Sequence, residues 1–126
     1  MAAEQYEVTE YEKFDDMDLP AELLRGIYAY GFEKPSNIQK KAIKPIADGK
    51  DILAQANSGT GKTGSFVIGS LARVDIGLAK VQVLCMAPTR ELAQQIHFVA
   101  SSLGGMMGLK IYAAMGKTPV RDDVRA

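Results

Sequence analysis

Hydrophobic residues recur at helical spacing in the first third of the chain. After Pro20, apolar side chains return every three or four positions up to Gly31, a residue suited to close a helix. A second stripe follows Ser36 and ends near Gly49, and Pro45 is expected to kink or shorten that helix. The apolar positions of the two stripes are Leu23, Leu24, Ile27 and Tyr28, then Ile38, Ala42, Ile43 and Ile46. The pattern predicts two amphipathic helices.

After residue 50, short apolar runs alternate with helical stretches. The pattern predicts strands over 52–56, 81–87 and 109–115, and helices over 62 to about 74 and about 90 to 103. This order is typical of a parallel sheet whose strands are joined by right-handed helical crossovers. The predicted fold class is therefore α/β, with a parallel sheet and flanking helices.

The zero formal net charge of the 126-residue chain conceals an uneven distribution. Residues 1–18 contain seven acidic residues and one basic residue, which leaves 14 basic and 8 acidic residues from position 19 onward. We interpret 1–18 as an acidic flexible leader and 19–126 as the folded part. The basic surplus is compatible with a polyanionic partner, although solvated surface charge explains it equally well.

The apolar runs of the chain are all short. None approaches the roughly 20 residues that span a bilayer, and the acidic start lacks the features of a secretory signal. We therefore expect no membrane partner and a cytoplasmic location, with the nucleus as the alternative. Cys85, the single cysteine, lies in the apolar run VQVLCMA and is expected to be a buried small hydrophobe rather than a nucleophile.

The segment ANSGTGKT directly follows the first predicted strand. Gly59 and Gly61 allow the loop to curl so that successive backbone N–H groups point at phosphate oxygens. Lys62, at the start of the next helix, can reach the β and γ phosphates of ATP, and Thr63 can bind Mg²⁺. Ala56 stands where the stricter pattern has glycine, and a chance glycine-rich turn is the alternative. The order of strand, loop and helix favours phosphate binding.

A candidate base pocket precedes this loop in the segment GFEKPSNIQ, which ends at Gln39. A glutamine amide both donates and accepts, so Gln39 can pair with N6 and N7 of adenine, whereas the O6 acceptor of guanine would not fit. Phe32 or Phe14 could supply a face on which the base stacks. The alternative is that Gln39 is an ordinary polar residue of the second helix.

The segment PTRELAQQ, which begins at Pro88, follows the second predicted strand. Ligands of open parallel sheets gather at the carboxyl ends of the strands. Thr89 and the first N–H groups of the next helix are therefore suited to bind a phosphate, and Arg90 adds positive charge. An N-capped amphipathic helix without a ligand is the alternative.

Taken together, GFEKPSNIQ, AQANSGTGKT and PTRELAQQ resemble the Q motif, motif I and motif Ia of DEAD-box RNA helicases, in the order of that family. The segment LLRGIYAYGFEKPS and the wording of motif I are most similar to the translation initiation factor 4A subgroup. The resemblance implies part of a RecA-like P-loop domain and an RNA-dependent ATPase that binds ATP, Mg²⁺ and RNA and separates short duplexes. Its implied protein partners are translation initiation or other ribonucleoprotein components.

The same resemblance implies a role for each matching residue. The implied adenine residues are Phe14, Phe32 and Gln39; the implied phosphate and magnesium residues are Ser58, Gly59, Thr60, Gly61, Lys62 and Thr63; the implied RNA-backbone residues are Pro88, Thr89, Arg90 and Gly116. Lys62 and Thr63 are also the implied catalytic residues. Lys117 stands where the family has the second glycine of an RNA contact, so its side chain could block the RNA backbone or add a phosphate contact.

Hydrolysis also needs an acidic residue after a hydrophobic strand, together with groups that stabilise the transferred charge. The family's DEAD and SAT motifs and its second lobe are not among these 126 residues, and Asp122 and Asp123 resemble helix-start residues. We therefore expect this chain alone to be inactive. The alternatives are a non-catalytic nucleotide-binding or interaction module, and a DNA-directed or metabolic P-loop ATPase, which leaves GFEKPSNIQ unexplained.

Overall fold

A computed structural model describes residues 8–56 and 61–114 of the chain. Within these residues the helices are α1 (Ala21–Tyr30), α2 (Asn37–Ala47), α3 (Lys62–Ala72) and α4 (Arg90–Leu103), and two short 3₁₀ turns span Phe14–Met17 and Gly105–Met107. None of the described helices is long and apolar enough to cross a membrane. The four predicted helices are confirmed, and their ends lie close to the predicted positions.

Local sequence signals determine the ends of the first two helices. Gly31 closes α1 in the left-handed conformation at φ 111°, which glycine adopts without strain. Ser36 caps α2 by accepting from the Gln39 backbone N–H, and the Gln39 side chain accepts in return from the Ser36 N–H. Pro45 is accommodated in the last turn of α2, so the helix continues beyond it.

The helices and turns enclose one apolar core. Close approaches between helices occur at glycines: Gly26 of α1 lies against the Leu103 carbonyl of α4, and a β-carbon added at Gly69 of α3 would lie 2.6 Å from the Ile46 side chain of α2. The buried core side chains are Phe14, Met17, Leu23, Ile27, Ile43, Val67, Ile68, Leu71, Val99, Leu103 and Met107. Each of them belongs to a helix or a 3₁₀ turn.

The contact between α1 and α4 yields a stability prediction. Gly26→Ala is expected to lower the free energy of unfolding by about 1–3 kcal/mol, because the added methyl group would collide with the Leu103 carbonyl oxygen. Gly105→Ala is the matched control, since, apart from its chain neighbours, no atom of the described residues lies within 4 Å of its added β-carbon. Urea denaturation measures both variants, and equal midpoints for the two would contradict a tight α1–α4 contact.

The predicted strands are not formed in the described residues. Segments 51–56, 81–87 and 109–114 lack regular secondary structure, and Leu84 and Met86 are 81% and 86% exposed. A strand needs backbone partners on a neighbouring strand, whereas helices use their N–H and C=O groups internally. The parallel sheet is therefore not confirmed. For the same reason the prediction that Cys85 is buried is wrong, because this side chain is exposed.

The described part of the predicted leader packs against the helices. Phe14 and Met17 of the first 3₁₀ turn are 1% and 0% exposed. An ion pair at 2.9 Å joins Glu12 to Lys40 of α2. The structure therefore differs from the predicted flexible leader at residues 12–17, because burial of two large apolar side chains anchors this stretch. Residues 1–7 lie outside the described part of the chain.

Candidate functional site

Gly61 joins the glycine-rich segment to α3. Its φ of 90° is a left-handed conformation that favours glycine, and no side chain of the described residues caps the helix that follows. An uncapped helix N-terminus presents N–H groups and the positive end of the helix dipole to an anion. Lys62, the first residue of α3, is exposed, and Thr63 is partly buried. The other predicted loop residues lie outside the described residues: Ser58, Gly59 and Thr60.

The Gly61 carbonyl oxygen accepts hydrogen bonds from two helices. Ser65 of α3 donates its backbone N–H at 3.0 Å and its hydroxyl at 3.1 Å, and the Gln39 amide nitrogen of α2 donates at 3.4 Å. A β-carbon at Gly61 would lie 2.6 Å from Gln39 Nε2 and 3.0 Å from Ser36 Oγ. Both the backbone conformation and the available space therefore require glycine, and the loop exit is anchored to α2.

Gln39 is 2% exposed and makes hydrogen bonds through both ends of its amide. Its Oε1 accepts from the Ser36 N–H at 2.9 Å, and its Nε2 donates to Gly61. Both partners require the same orientation of the amide, with the oxygen toward Ser36 and the nitrogen toward Gly61. An amide has two N–H groups and two oxygen lone pairs, so these two hydrogen bonds use half of the capacity of Gln39 within the described residues.

The two candidate stacking residues occupy different environments. Phe14 is buried, whereas Phe32 is partly exposed, and their ring centroids lie 6.3 Å apart. A β-carbon at Gly64 of α3 would lie 3.4 Å from the Phe32 ring and 2.9 Å from Gln39 Nε2. Phe32, Gln39 and the start of α3 therefore meet at one place. Of the two rings, only Phe32 offers an accessible surface there, and the buried Phe14 ring packs next to it.

The second candidate segment lies at the N-terminus of α4. Thr89 is the N-cap residue, and its hydroxyl oxygen accepts from the Leu92 backbone N–H at 3.2 Å. Pro88, Thr89 and Arg90 are all exposed, and Arg90 is the first residue of the helix. The segment therefore presents a hydroxyl and a guanidinium group to solvent. The predicted Gly116 lies outside the described residues, as does the neighbouring Lys117.

Comparison with known proteins supplies the family. The family model of the DEAD/DEAH box helicase domain matches residues 36–126, which is more than half of the chain. The chain belongs to the DEAD/DEAH box helicase family. The match contains the glycine-rich segment, Gln39 and the N-terminus of α4, whereas Phe14 and Phe32 precede it.

Curated relatives of this helicase segment include translation initiation factors. It is 59% identical over 114 residues to eukaryotic initiation factor 4A of Caenorhabditis elegans, covering 90% of this chain and 28% of the relative. It is 56% identical over 115 residues to the ATP-dependent RNA helicase eIF4A of Schizosaccharomyces pombe, covering 91% of this chain and 29% of the relative. The chain thus spans less than a third of these relatives.

Solved helicase structures resemble the described fold. A DEAD box protein from the hyperthermophile Methanococcus jannaschii matches with a TM-score of 0.83 at 35% identity, covering 93% of this chain and 32% of that chain. Saccharomyces cerevisiae Dbp5 bound to RNA and ADP BeF3 matches with a TM-score of 0.72 at 42% identity, covering 76% of this chain and 25% of that chain. The described helices therefore have the arrangement found in RecA-like domains of DEAD-box helicases.

Three residues that support the candidate site were not predicted from the sequence. Ser36 and Ser65 hold Gln39 and Gly61 through hydrogen bonds, and Gly64 leaves room for Phe32 beside Gln39. The spacing of Ser36 and Gln39 is the signature of a capping box, so the orientation of Gln39 could have been predicted. No local sequence signal identifies Gly64, because the side chains that pack against it, Phe32 and Gln39, are distant in sequence.

Proposed function

We propose that this helicase segment forms the nucleotide-binding face and part of the RNA-binding face of an RNA-dependent ATPase that acts in translation initiation. The contact between Gln39 and Gly61 carries the proposal, because it joins a base-reading side chain to the phosphate loop. The relatives' names, ATP-dependent RNA helicase and eukaryotic initiation factor 4A, support it. Since the chain spans less than a third of these relatives, the proposed activity belongs to a longer protein, and the 126 residues alone stay predicted to be inactive.

In this proposal Lys62 contacts the β and γ phosphates of ATP, and Thr63 binds Mg²⁺. The residues fit these roles: an exposed ammonium group begins α3, and a hydroxyl follows it. Hydroxyl oxygen is a hard ligand of the kind that Mg²⁺ prefers, and nucleotide phosphates and water would supply further oxygens. When bound, the ion neutralises charge on the transferred phosphoryl group. Ser58, Gly59 and Thr60 remain the other predicted phosphate contacts of this proposal.

For the adenine base, we propose that Gln39 pairs with the ring edge and Phe32 covers its face. The adjacency of Phe32 and Gln39 at Gly64 supports this pairing. A pocket built to satisfy the N6 donor and N7 acceptor of adenine disfavours guanine, which presents O6 instead. The longer helicase is therefore proposed to prefer ATP over GTP.

For RNA, we propose that Pro88, Thr89 and Arg90 contact the phosphate backbone without reading sequence, with Gly116 as a further predicted contact. The exposure of the α4 N-terminus supports this role, as does the similarity to Dbp5, whose structure contains RNA. RNA affinity should therefore fall as salt rises. A role in translation initiation also places the proposed activity in the cytoplasm, with the nucleus as the alternative.

The experiment that tests the proposed function is phosphate release by the full-length helicase, measured with and without RNA. We expect ATP hydrolysis that RNA stimulates, together with unwinding of a short duplex. A folded, full-length protein that neither binds ATP nor responds to RNA would contradict the proposal. The isolated 126-residue chain, measured in parallel, is expected to remain at background.

The aromatic pair provides a second prediction. Phe32→Ala is expected to weaken ATP binding by about 1–3 kcal/mol, the range for losing one base–aromatic stack. It should leave the binding of inorganic tripolyphosphate unchanged, because that ligand has no base. Phe14→Ala should instead lower the free energy of unfolding by about 3–5 kcal/mol, since this ring is buried. Calorimetric titration and urea denaturation separate the two effects, and equal losses of ATP and tripolyphosphate affinity in Phe32→Ala would contradict stacking.

A further inference from the structure

A hydrogen bond joins the first 3₁₀ turn to α1. The Tyr28 hydroxyl donates to Asp15 Oδ1 at 3.0 Å. The two residues are thirteen positions apart, so the bond links two separate elements. Tyr28 also contacts Phe14, with ring centroids 6.2 Å apart and the rings nearly perpendicular. The hydroxyl and the ring of Tyr28 therefore hold the same turn.

The interactions within this 3₁₀ turn stabilise its conformation only weakly. It contains four residues and has no side-chain N-cap, and short 3₁₀ segments have poor hydrogen-bond geometry. It ends at Asp18, a residue other than glycine with a left-handed φ of 57°. Aspartate adopts this conformation more readily than most residues with a β-carbon, so Asp18 ends the turn at little cost. Because its internal interactions are weak, the turn depends on contacts made from outside it.

Electrostatics favours the hydrogen-bonded form at neutral pH. Tyr28 is 42% exposed, and desolvation of the covered part of its side chain, the hydrogen bond to Asp15, and the negative charges of Asp15 and Asp16 raise its pKa. The folded state thus holds the phenolic proton more tightly than the unfolded state does. This contribution to stability is fully present below the ordinary tyrosine pKa of about 10 and is lost as the pH rises through the raised value. At pH 7 the Tyr28 hydroxyl is therefore protonated and donates to Asp15 Oδ1.

The turn also controls the support of the base-facing ring. Tyr28 contacts Phe14. The buried Phe14 ring packs next to Phe32, with 6.3 Å between the ring centroids. Phe32 in turn lies beside Gly64 and Gln39 at the start of α3. A shift of the turn would move Phe14 and would change the surface that Phe32 offers to a base.

We infer that Tyr28 and Asp15 form a latch that positions Phe32 for adenine binding by holding the turn that carries Phe14 against α1. Both would act as positioning residues, because Phe14 connects them to Phe32 and the proposed base site. The inference rests on the proposed function of the site, and it adds a determinant of base affinity outside the pocket. It predicts that loss of the latch weakens binding of the base and leaves binding of the phosphates unchanged.

The test uses the full-length helicase with two probes, ATP and inorganic tripolyphosphate. Tyr28→Phe removes the hydroxyl and keeps the ring, and Asp15→Ala removes the acceptor. For each variant we expect the Kd for ATP to rise about 2-fold, the low end of the range for one net hydrogen bond, because this bond is exposed. The Kd for tripolyphosphate should be unchanged.

Two further variants serve as controls. Asp15→Asn keeps an oxygen acceptor and should bind ATP like the unaltered protein. Asp16→Asn removes a neighbouring charge while leaving the Tyr28–Asp15 bond, and it should do the same. Thermal melting verifies that all four variants are folded.

The outcomes distinguish the latch from the site itself. If the unaltered protein prefers ATP over tripolyphosphate and Tyr28→Phe leaves both affinities unchanged, the latch is refuted and the proposed function stands. An equal loss for both ligands would also refute the latch, because it would indicate a general structural role. If the unaltered protein binds tripolyphosphate as tightly as ATP, the proposed base pocket is refuted, and the latch is refuted with it.

Discussion

Lys62→Ala is expected to lower ATP hydrolysis by the full-length helicase about 100-fold or more, the effect of removing one strong stabiliser of developing charge. The ammonium group of Lys62 is proposed to contact the β and γ phosphates, which alanine cannot do. The fold should survive, because Lys62 is an exposed first residue of α3 and alanine favours helix. Phosphate release measures the first effect, and thermal melting measures the second.

Lys110→Ala is the matched control for this variant. Lys110 is also an exposed lysine, but it lies in the segment that follows α4 and its neighbouring 3₁₀ turn. Its replacement should leave both hydrolysis and melting temperature close to those of the unaltered helicase. A folded Lys62→Ala protein with normal turnover would show that the glycine-rich loop has only a structural role here.

Gln39→Ala should have the second largest effect, because this amide is proposed to read the base. ATP affinity is expected to fall by about 1–3 kcal/mol, the range for a bidentate base contact. Stability should fall as well, by about 1–3 kcal/mol, since the Ser36 N–H and the Gly61 carbonyl lose a buried partner. Nucleotide titration and urea denaturation measure these losses separately.

Two variants separate base reading from structural support. Gln39→Glu keeps the acceptor for the Ser36 N–H and loses the amide donor, so it should retain the cap of α2 while ATP affinity falls. Ser36→Ala removes the hydroxyl side of the same cap and should lower stability without changing the preference for ATP over GTP. Equal affinity of the unaltered helicase for ATP and GTP would overturn the assignment of Gln39.

The helical part of the fold was predictable because its signals are local. Periodic apolar residues, Gly31 at the end of α1, and Ser36 at the start of α2 act within one or two turns of the chain. The strand predictions had no such support. A strand is stabilised by backbone partners that are distant in sequence, and exposed residues such as Leu84 have none of that pairing in the described residues.

The candidate site also combines features that local sequence predicted with features that depend on long-range contacts. The order of its motifs indicated phosphate, adenine and RNA contacts, and the family match confirms the helicase assignment on which those expectations rest. Sequence spacing left Phe14 and Phe32 as equivalent stacking candidates. Burial distinguishes them, because Phe14 is 1% exposed and supports the accessible Phe32. The acidic residues around Phe14 likewise suggested a flexible leader, although two buried side chains anchor that stretch.

By itself, the sequence of this protein determined the helices, their caps and the family, because these depend on residue types at short, regular spacings. Only the tertiary structure decided which side chains meet. Gln39 reaches the Gly61 carbonyl across 22 positions of the chain, and Tyr28 reaches Asp15 across 13. Such contacts form because helices bury their apolar faces against one another, and packing of the whole core sets the final distances. The site depends on those distances as much as on the motifs that mark it.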